Sequence, residues 1–196
     1  LSDGVMYTMR DIAITELRNI DRIAFNPTGS SLAVLRPKKP IAIFSFRERN
    51  KKLFELKDKR KGLKEKPLML AMCYGSDARN FIASNSLGEI IVYDTKAYLP
   101  QAYIKCSAPA TALALSSNNY FIASAVGKNI VIWNFQTKEQ RTSIPMPATV
   151  KEVAFSTDAS LLAATTDDNR LTIIDTKNWE KVDIFDKLGG KLTSPS

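Results

Sequence analysis

Few side chains in this chain can carry out acid–base, nucleophilic or metal chemistry. The sequence contains no histidine, which excludes any mechanism that needs a histidine base, including the nucleophilic triads built on one. Its two cysteines, Cys73 and Cys106, form no Cys-x-x-Cys pair, and without histidine they cannot complete a Cys/His zinc site. We therefore predict two free, buried thiols and no catalytic, metal-binding or cofactor-binding residues.

The carboxylates and glycines offer no stronger motif. Asp167-Asp168-Asn169 is superficially similar to a calcium loop, but the other spaced oxygen ligands and the distal glutamate are missing, so we predict a hydrated turn. No helix is predicted after Gly189-Gly190, which we interpret as a hinge and not as a phosphate-binding loop. No convergent pair of carboxylates follows from the spacing. We expect a chain that is not an enzyme; the alternative is a piece of an enzyme whose site lies outside this chain.

Positive charge is concentrated in one segment. The formal net charge is +8, and residues 47–66 hold ten Lys/Arg and four Asp/Glu, a balance of +6. Such a patch attracts an acidic protein, a nucleic acid or an anionic surface. Nucleic acid is disfavoured, because residues 57–66 contain no aromatic side chain on which a base could stack. A mobile, solvated loop without a partner is the alternative interpretation.

The elements that must position these residues are defined by an internal repeat. Phe81-Ile82-Ala83-Ser84 recurs forty residues later as Phe121-Ile122-Ala123-Ser124, and Leu161-Leu162-Ala163-Ala164 lies forty residues further on. Ser31-Leu32-Ala33-Val34 is the same element fifty residues before the first copy, and a ten-residue basic insertion accounts for the longer interval. Repeats of this length indicate a propeller or a solenoid.

Each repeat is predicted to contain four strands. Short runs rich in β-branched and aromatic residues alternate with turn formers, while a sustained helical period is absent from the sequence. The third run is apolar throughout and the fourth is more polar, as in a sheet whose last strand faces solvent. We predict an all-β propeller of four four-stranded antiparallel blades: residues 17–56, 67–105, 106–145 and 146–186, with a basic inter-blade loop at 57–66.

The repeats resemble divergent WD40 repeats. The dipeptide that ends the third strand in that family is similar to Tyr93-Asp94, Trp133-Asn134 and Ile174-Asp175, with a degraded form at Phe44-Ser45. Asn26-Pro27-Thr28-Gly29 resembles the family's turn between its first two strands. The family's Gly-His dipeptide is absent, so the hydrogen-bond network built on that histidine cannot form. The resemblance implies a non-catalytic scaffold for protein–protein interaction, with the partner unidentified.

The ends of the chain suggest incomplete blades. Residues 1–16 are similar to the last two strands of a blade, and residues 187–196 to the start of another. We expect part of a larger ring of six to eight blades; self-association that covers open blade faces and a compact five-bladed arrangement are the alternatives.

The sequence has no run of 18 apolar residues, so no transmembrane segment is predicted. Two free cysteines favour the cytoplasm, with export after loss of a leader as the alternative.

A partner-binding face follows from the predicted topology. In propellers of this kind, the loops between second and third strands and the loops between blades share one face. The basic residues of both loops are therefore expected to converge and to bind a protein partner of unknown identity; a partner with an acidic surface is one candidate. The predicted partner-binding residues are Arg36, Lys38, Lys39, Lys57, Lys59, Arg60, Lys61, Lys64 and Lys66.

Overall fold

The chain folds into β-sheets throughout the part that the structure describes. The computed structural model describes residues 19–45, 52–56 and 66–185, and these ranges contain sixteen strands and no helix. Consequently, no helix in the described ranges is long and apolar enough to cross a membrane. The prediction of an all-β chain is confirmed.

The strands form four antiparallel sheets, and each sheet uses four consecutive strands in chain order. We call these sheets blades 1 to 4. Blade 1 contains β1 (Arg22–Phe25), β2 (Ser31–Leu35), β3 (Ile41–Ser45) and β4 (Lys52–Leu56). Blade 2 contains β5 (Met69–Tyr74), β6 (Asn80–Asn85), β7 (Glu89–Asp94) and β8 (Pro100–Lys105). Blade 3 contains β9 (Ala112–Leu115), β10 (Phe121–Val126), β11 (Asn129–Asn134) and β12 (Gln140–Pro145), and blade 4 contains β13 (Val150–Phe155), β14 (Leu161–Thr166), β15 (Leu171–Asp175) and β16 (Lys181–Phe185).

Burial follows the predicted order of the strands within each blade. In blade 1, every residue of β2 and β3 is buried, as expected of strands covered on both faces. The fourth strands β8 and β12 are mostly exposed, and all five residues of β16 are exposed. Hydrophobic burial therefore fixes the middle strands of each sheet, while the last strand forms an exposed outer edge. This edge is mostly polar in β8 and β12, whereas β16 exposes Val182, Ile184 and Phe185.

The turn between the first and second strands repeats in all four blades. Its fourth residue has a positive φ in every copy: 67° at Gly29, 57° at Ala78, 55° at Asn119 and 59° at Ala159. The same residue donates its N–H to the carbonyl three positions earlier, at 2.7 to 3.0 Å. Only glycine and asparagine adopt this conformation at low cost, so the repeat is preserved in the backbone where its sequence has drifted.

Neighbouring blades pack face to face through apolar side chains. Between blades 2 and 3, Ile82, Val92 and Ile104 lie in one buried cluster with Ile122 and Trp133. Equivalent clusters join blade 1 to blade 2 and blade 3 to blade 4. At the last of these junctions, Trp179 packs edge-on against Phe121 with 5.0 Å between ring centroids. Trp133 and Trp179 therefore serve the packing of blades.

The four inner strands surround a common axis, which makes the architecture a β-propeller. β1 contacts β5, β5 contacts β9, and β9 contacts β13. Residues of all four strands line one central cavity of about 360 Å³, among them Arg22, Met72, Leu113 and Glu152. Four four-stranded antiparallel blades are thus confirmed. The predicted partial blades, residues 1–16 and 187–196, lie outside the described residues.

The two faces at the ends of this series differ in exposure. On blade 1, Leu32, Val34, Ala42 and Phe44 form a buried cluster on the face turned away from blade 2. On blade 4, large apolar side chains remain accessible, with Leu161 39% and Phe185 43% exposed. Self-association that covers such a face stays a prediction.

Candidate partner-binding site

A tight turn between β2 and β3 presents two of the predicted basic residues. The Lys39 N–H donates to the Arg36 carbonyl at 3.2 Å, and Pro37 fixes the φ angle of the second turn position. Lys38 occupies the third position with φ 58°, an unusual conformation for lysine. The side chains of Lys38 and Lys39 are exposed as a result, at the end of blade 1.

The segment that enters blade 2 positions a third basic residue opposite this turn. Leu68 is held to the β6–β7 turn by two hydrogen bonds with Ser86. The Leu68 N–H donates to Ser86 Oγ at 3.0 Å, and the Ser86 N–H donates to the Leu68 carbonyl at 2.8 Å. Lys66 precedes this anchored residue and is exposed.

These segments enclose a cavity of about 370 Å³ between blades 1 and 2. We call it the junction cavity. Three lysines line it among the described residues, Lys38, Lys39 and Lys66. Its other lining residues are apolar or aromatic: Pro40, Leu56, Pro67, Leu68, Met69, Ile91 and Tyr93. The cavity is therefore basic at some of its walls and apolar at the rest.

The described residues that line the junction cavity carry charge of one sign only. None of the described residues that line it is an aspartate or a glutamate. Lysine is a compact point charge on a flexible stem, so the three ammonium groups can each reach toward a bound anion. The combination suits a ligand that carries both negative charge and an apolar group.

The structure brings together three of the nine predicted partner-binding residues. Arg36 opens the same turn, is half-buried and lies outside the lining of the junction cavity. Lys57, Lys59, Arg60, Lys61 and Lys64 lie outside the described residues. Binding by any of the nine stays a prediction.

Sequence reasoning missed the apolar part of the cavity. Ile91 and Tyr93 alternate along β7 and face blade 1, where they share a buried cluster with Leu56. In the sequence these residues belong to an apolar third strand, which predicts only burial. The signal that these core residues also line a cavity is three-dimensional, because it depends on the space left between Pro40 and Pro67.

The central cavity contains the other concentration of charge. Arg22 Nη1 donates to Glu152 Oε1 at 2.6 Å, and Arg22 Nη2 donates to the Thr111 carbonyl at 3.2 Å. Arg22 and Glu152 therefore satisfy one another across the axis, in a cavity that Asp21 also lines. Within the described ranges, no group of three His, Cys, Asp or Glu residues is placed to hold a metal ion.

The predicted calcium-like segment forms a turn. Asn169 has φ 62°, and the Asn169 N–H donates to the Thr166 carbonyl at 3.1 Å. Thr166 Oγ1 donates to Asp168 Oδ1 at 2.5 Å, and Arg170 Nε lies 3.4 Å from Asp168 Oδ2. The carboxylate of Asp168 is thus engaged by protein groups within the turn. The predicted turn is present, and its hydration stays a prediction.

Comparison with known proteins gives no independent assignment. No model of a known protein family matches the chain. No curated protein matches it either.

Proposed function

We propose that this chain is a non-catalytic scaffold that binds an acidic protein partner, with the junction cavity as part of the binding surface. The observation that carries the proposal is the placement of Lys38, Lys39 and Lys66 around one cavity that has no lining carboxylate among the described residues. β-Propellers commonly serve as interaction scaffolds, although a fold does not by itself define a function. The absence of histidine from the sequence favours binding over general acid–base catalysis.

The WD40-like assignment of the blades is part of the same proposal. Trp133 Nε1 donates to Ser124 Oγ at 2.9 Å, and Ser124 Oγ donates to the Val131 carbonyl at 3.1 Å. This short network links the second and third strands of blade 3 without a histidine. It supports a divergent WD40-like blade in which a Trp–Ser pair remains.

A matched pair of variants tests the proposed function. The cavity variant carries Lys38→Asn, Lys39→Ser and Lys66→Ser; asparagine is chosen at position 38 because it tolerates a positive φ. The control variant carries Lys96→Ser, Lys128→Ser and Lys177→Ser, three exposed lysines elsewhere that give the same loss of charge. Both are compared with the unmodified chain by cross-linking and quantitative capture of bound proteins.

The proposal expects partners that the control variant retains and the cavity variant loses. Equal loss from both variants indicates an effect of net charge alone and contradicts the proposal. If the unmodified chain retains heparin or poly(dT) and captures no protein, and only the cavity variant loses this retention, polyanion binding is favoured instead.

A further inference from the structure

We infer that the junction cavity binds one bulky apolar side chain of an acidic peptide segment. This inference rests on the proposed function and specifies the partner's chemistry. Two features of the cavity carry it: an apolar floor that belongs to the folded core, and lysines contributed by chain segments on two sides.

The floor is rigid because its residues are part of the packing between blades 1 and 2. Leu56, Ile91 and Tyr93 are only 6%, 2% and 7% exposed and share one core cluster. The ring of Tyr93 lies 6.1 Å from that of Phe81, which in turn packs edge-on against Tyr74. The base of the cavity is therefore pre-formed, and the apolar surface that a ligand would cover lies at the rim.

The rim adds apolar surface that is accessible without a ligand. Leu68 is 42% exposed, and its backbone is fixed by the two hydrogen bonds with Ser86. An inserted side chain would cover Leu68 together with the half-buried Met69. Removal of this surface from water favours an apolar group over a purely charged ligand.

The volume is sufficient for one bulky side chain. A cavity of about 370 Å³ is near the lower end of the range typical of ligand pockets, which runs from about 300 to 1,000 Å³. Lys38 and Lys39 come from blade 1 and Lys66 from the segment that enters blade 2. Carboxylates on both sides of the inserted residue would therefore meet ammonium groups.

The alternatives match the cavity less well. A nucleic-acid base requires an exposed aromatic face, whereas Tyr93, the aromatic residue of the lining, is 7% exposed. An anionic membrane presents a broad surface and gains little from a concave pocket of this size. An acidic peptide with an apolar anchor uses both the lysines and the exposed apolar rim at Leu68.

Fluorescence anisotropy with defined peptides tests the inference. The probes are three labelled 12-residue peptides of alternating Asp and Glu with a single central Phe, Leu or Ala, so that the net charge is constant. We expect the unmodified chain to bind the Phe and Leu peptides about tenfold more tightly than the Ala peptide, from burial of the anchor. Lys66→Ser should weaken all three to the same degree, by about threefold.

A rim variant separates the apolar contribution from the charge. Leu68→Ser should reduce the preference for Phe over Ala to about twofold or less, with the Ala peptide unaffected. Leu99→Ser is the matched control, because Leu99 is 56% exposed and lies outside the junction cavity. It should leave the preference intact.

Three results overturn the inference. Equal affinity for the Phe and Ala peptides contradicts binding of an apolar side chain in the cavity. In that case the proposed function still stands if the cavity variant loses its protein partners. Retention of the Phe preference in Leu68→Ser places the pocket elsewhere. Competition by poly(dT) or by phosphatidylserine vesicles, but not by the unlabelled Phe peptide, assigns the surface to a different class of partner.

Discussion

Arg22 and Glu152 meet across the axis of the propeller, with 2.6 Å between Arg22 Nη1 and Glu152 Oε1. The two residues are separated by 130 positions in the chain and lie on β1 and β13, the inner strands of the first and fourth blades. Arg22 also donates to the Thr111 carbonyl beside β9. One side chain thus connects three inner strands at the centre of the molecule.

The repeat explains why these two residues are opposed. Arg22 immediately precedes Ile23-Ala24-Phe25 in β1, and Glu152 immediately precedes the equivalent Val153-Ala154-Phe155 in β13. At the same position, blades 2 and 3 have Leu70 and Ala112. The two ends of the blade series therefore carry opposite charges at equivalent positions. Because β1 and β13 are not paired in a sheet, this ion pair is a specific link between blades 1 and 4.

We expect the pair to contribute about 1 kcal/mol to the free energy of unfolding, measured as the coupling in a double-mutant cycle of Arg22→Ala and Glu152→Ala. The side chains are 31% and 25% exposed, so solvent weakens their attraction without removing it. The coupling should fall in 1 M salt. Urea titrations of the four proteins give the measurement.

The Arg170–Asp168 pair provides the control for that cycle. Its atoms are 3.4 Å apart, its side chains are more exposed, and it lies within one turn. We expect a coupling nearer to zero there. Equal coupling for the two pairs would show that closure across the axis adds nothing specific.

Because φ is positive at the fourth residue of the first turn in each blade, we expect glycine-to-alanine and alanine-to-glycine substitutions at this position to change stability in opposite directions. Gly29 has φ 67°, and an added Cβ would meet nothing within 4 Å, so Gly29→Ala should cost about 1 kcal/mol from backbone strain alone. Ala78 has φ 57° at the equivalent position, so Ala78→Gly should add about 0.5–1 kcal/mol of stability. Urea unfolding at constant m value measures both.

An alanine inside a strand serves as the reference for these two variants. Ala102 lies in β8, where φ is not positive, and Ala102→Gly should lose about 0.5–1 kcal/mol. If Ala78→Gly also destabilises the chain, the turn conformation does not control stability at this position.

The fold was predictable because a single pattern recurs with little room for another interpretation. Small apolar residues such as Ala83 and Ala123 allow sheets to pack closely, and both are fully buried in the structure. The ion pair of Arg22 was not predictable, because its partner depends on how many blades surround the axis. The junction cavity was predictable only in its basic half: Lys38 and Lys66 follow from loop placement, whereas the apolar lining at Ile91 depends on the separation of two blades.

The Asp or Asn that ends the third strand has a local structural role. Asp94 Oδ1 accepts the N–H of Lys96 at 2.9 Å, and Asp175 Oδ1 accepts that of Lys177 at 2.7 Å. Asn134 Oδ1 does the same for Gln136 at 2.8 Å. The side chain therefore closes an Asx turn before the fourth strand, which accounts for the residue type at this position.

We expect Asp175→Ala to cost about 1 kcal/mol of stability, because the Lys177 N–H loses its acceptor. Asp175→Asn should cost less than half as much, since Asn134 already makes the equivalent bond in blade 3. Glu139→Ala removes the same charge from an exposed side chain and is the control. A similar loss in Asp175→Asn and Asp175→Ala would rule out the amide as a substitute.

The two free thiols should be unreactive in the folded protein. Cys106 is buried and Cys73 is half-buried, packed against the core cluster between blades 2 and 3. Burial raises the pKa of Cys106 to about 11 and that of Cys73 to about 12, from an ordinary value of 9.0. The charge of Lys105 opposes the shift at Cys106, and a hydrogen bond with the backbone of Leu115 opposes it at Cys73. At pH 8 the thiolate fraction of Cys106 falls about 100-fold as a result.

Labelling with a chromogenic disulfide reagent at pH 8 measures the reactivity of the two thiols. We expect both thiols to react at least about 100-fold more slowly in the folded chain than in urea. Each unfolded thiol ionises near pH 9, whereas the folded thiol keeps its proton, so the contribution to stability is complete below pH 9 and is lost as the pH rises through 11 to 12. Fast labelling of both cysteines under native conditions would mean that the junction between blades 2 and 3 opens readily.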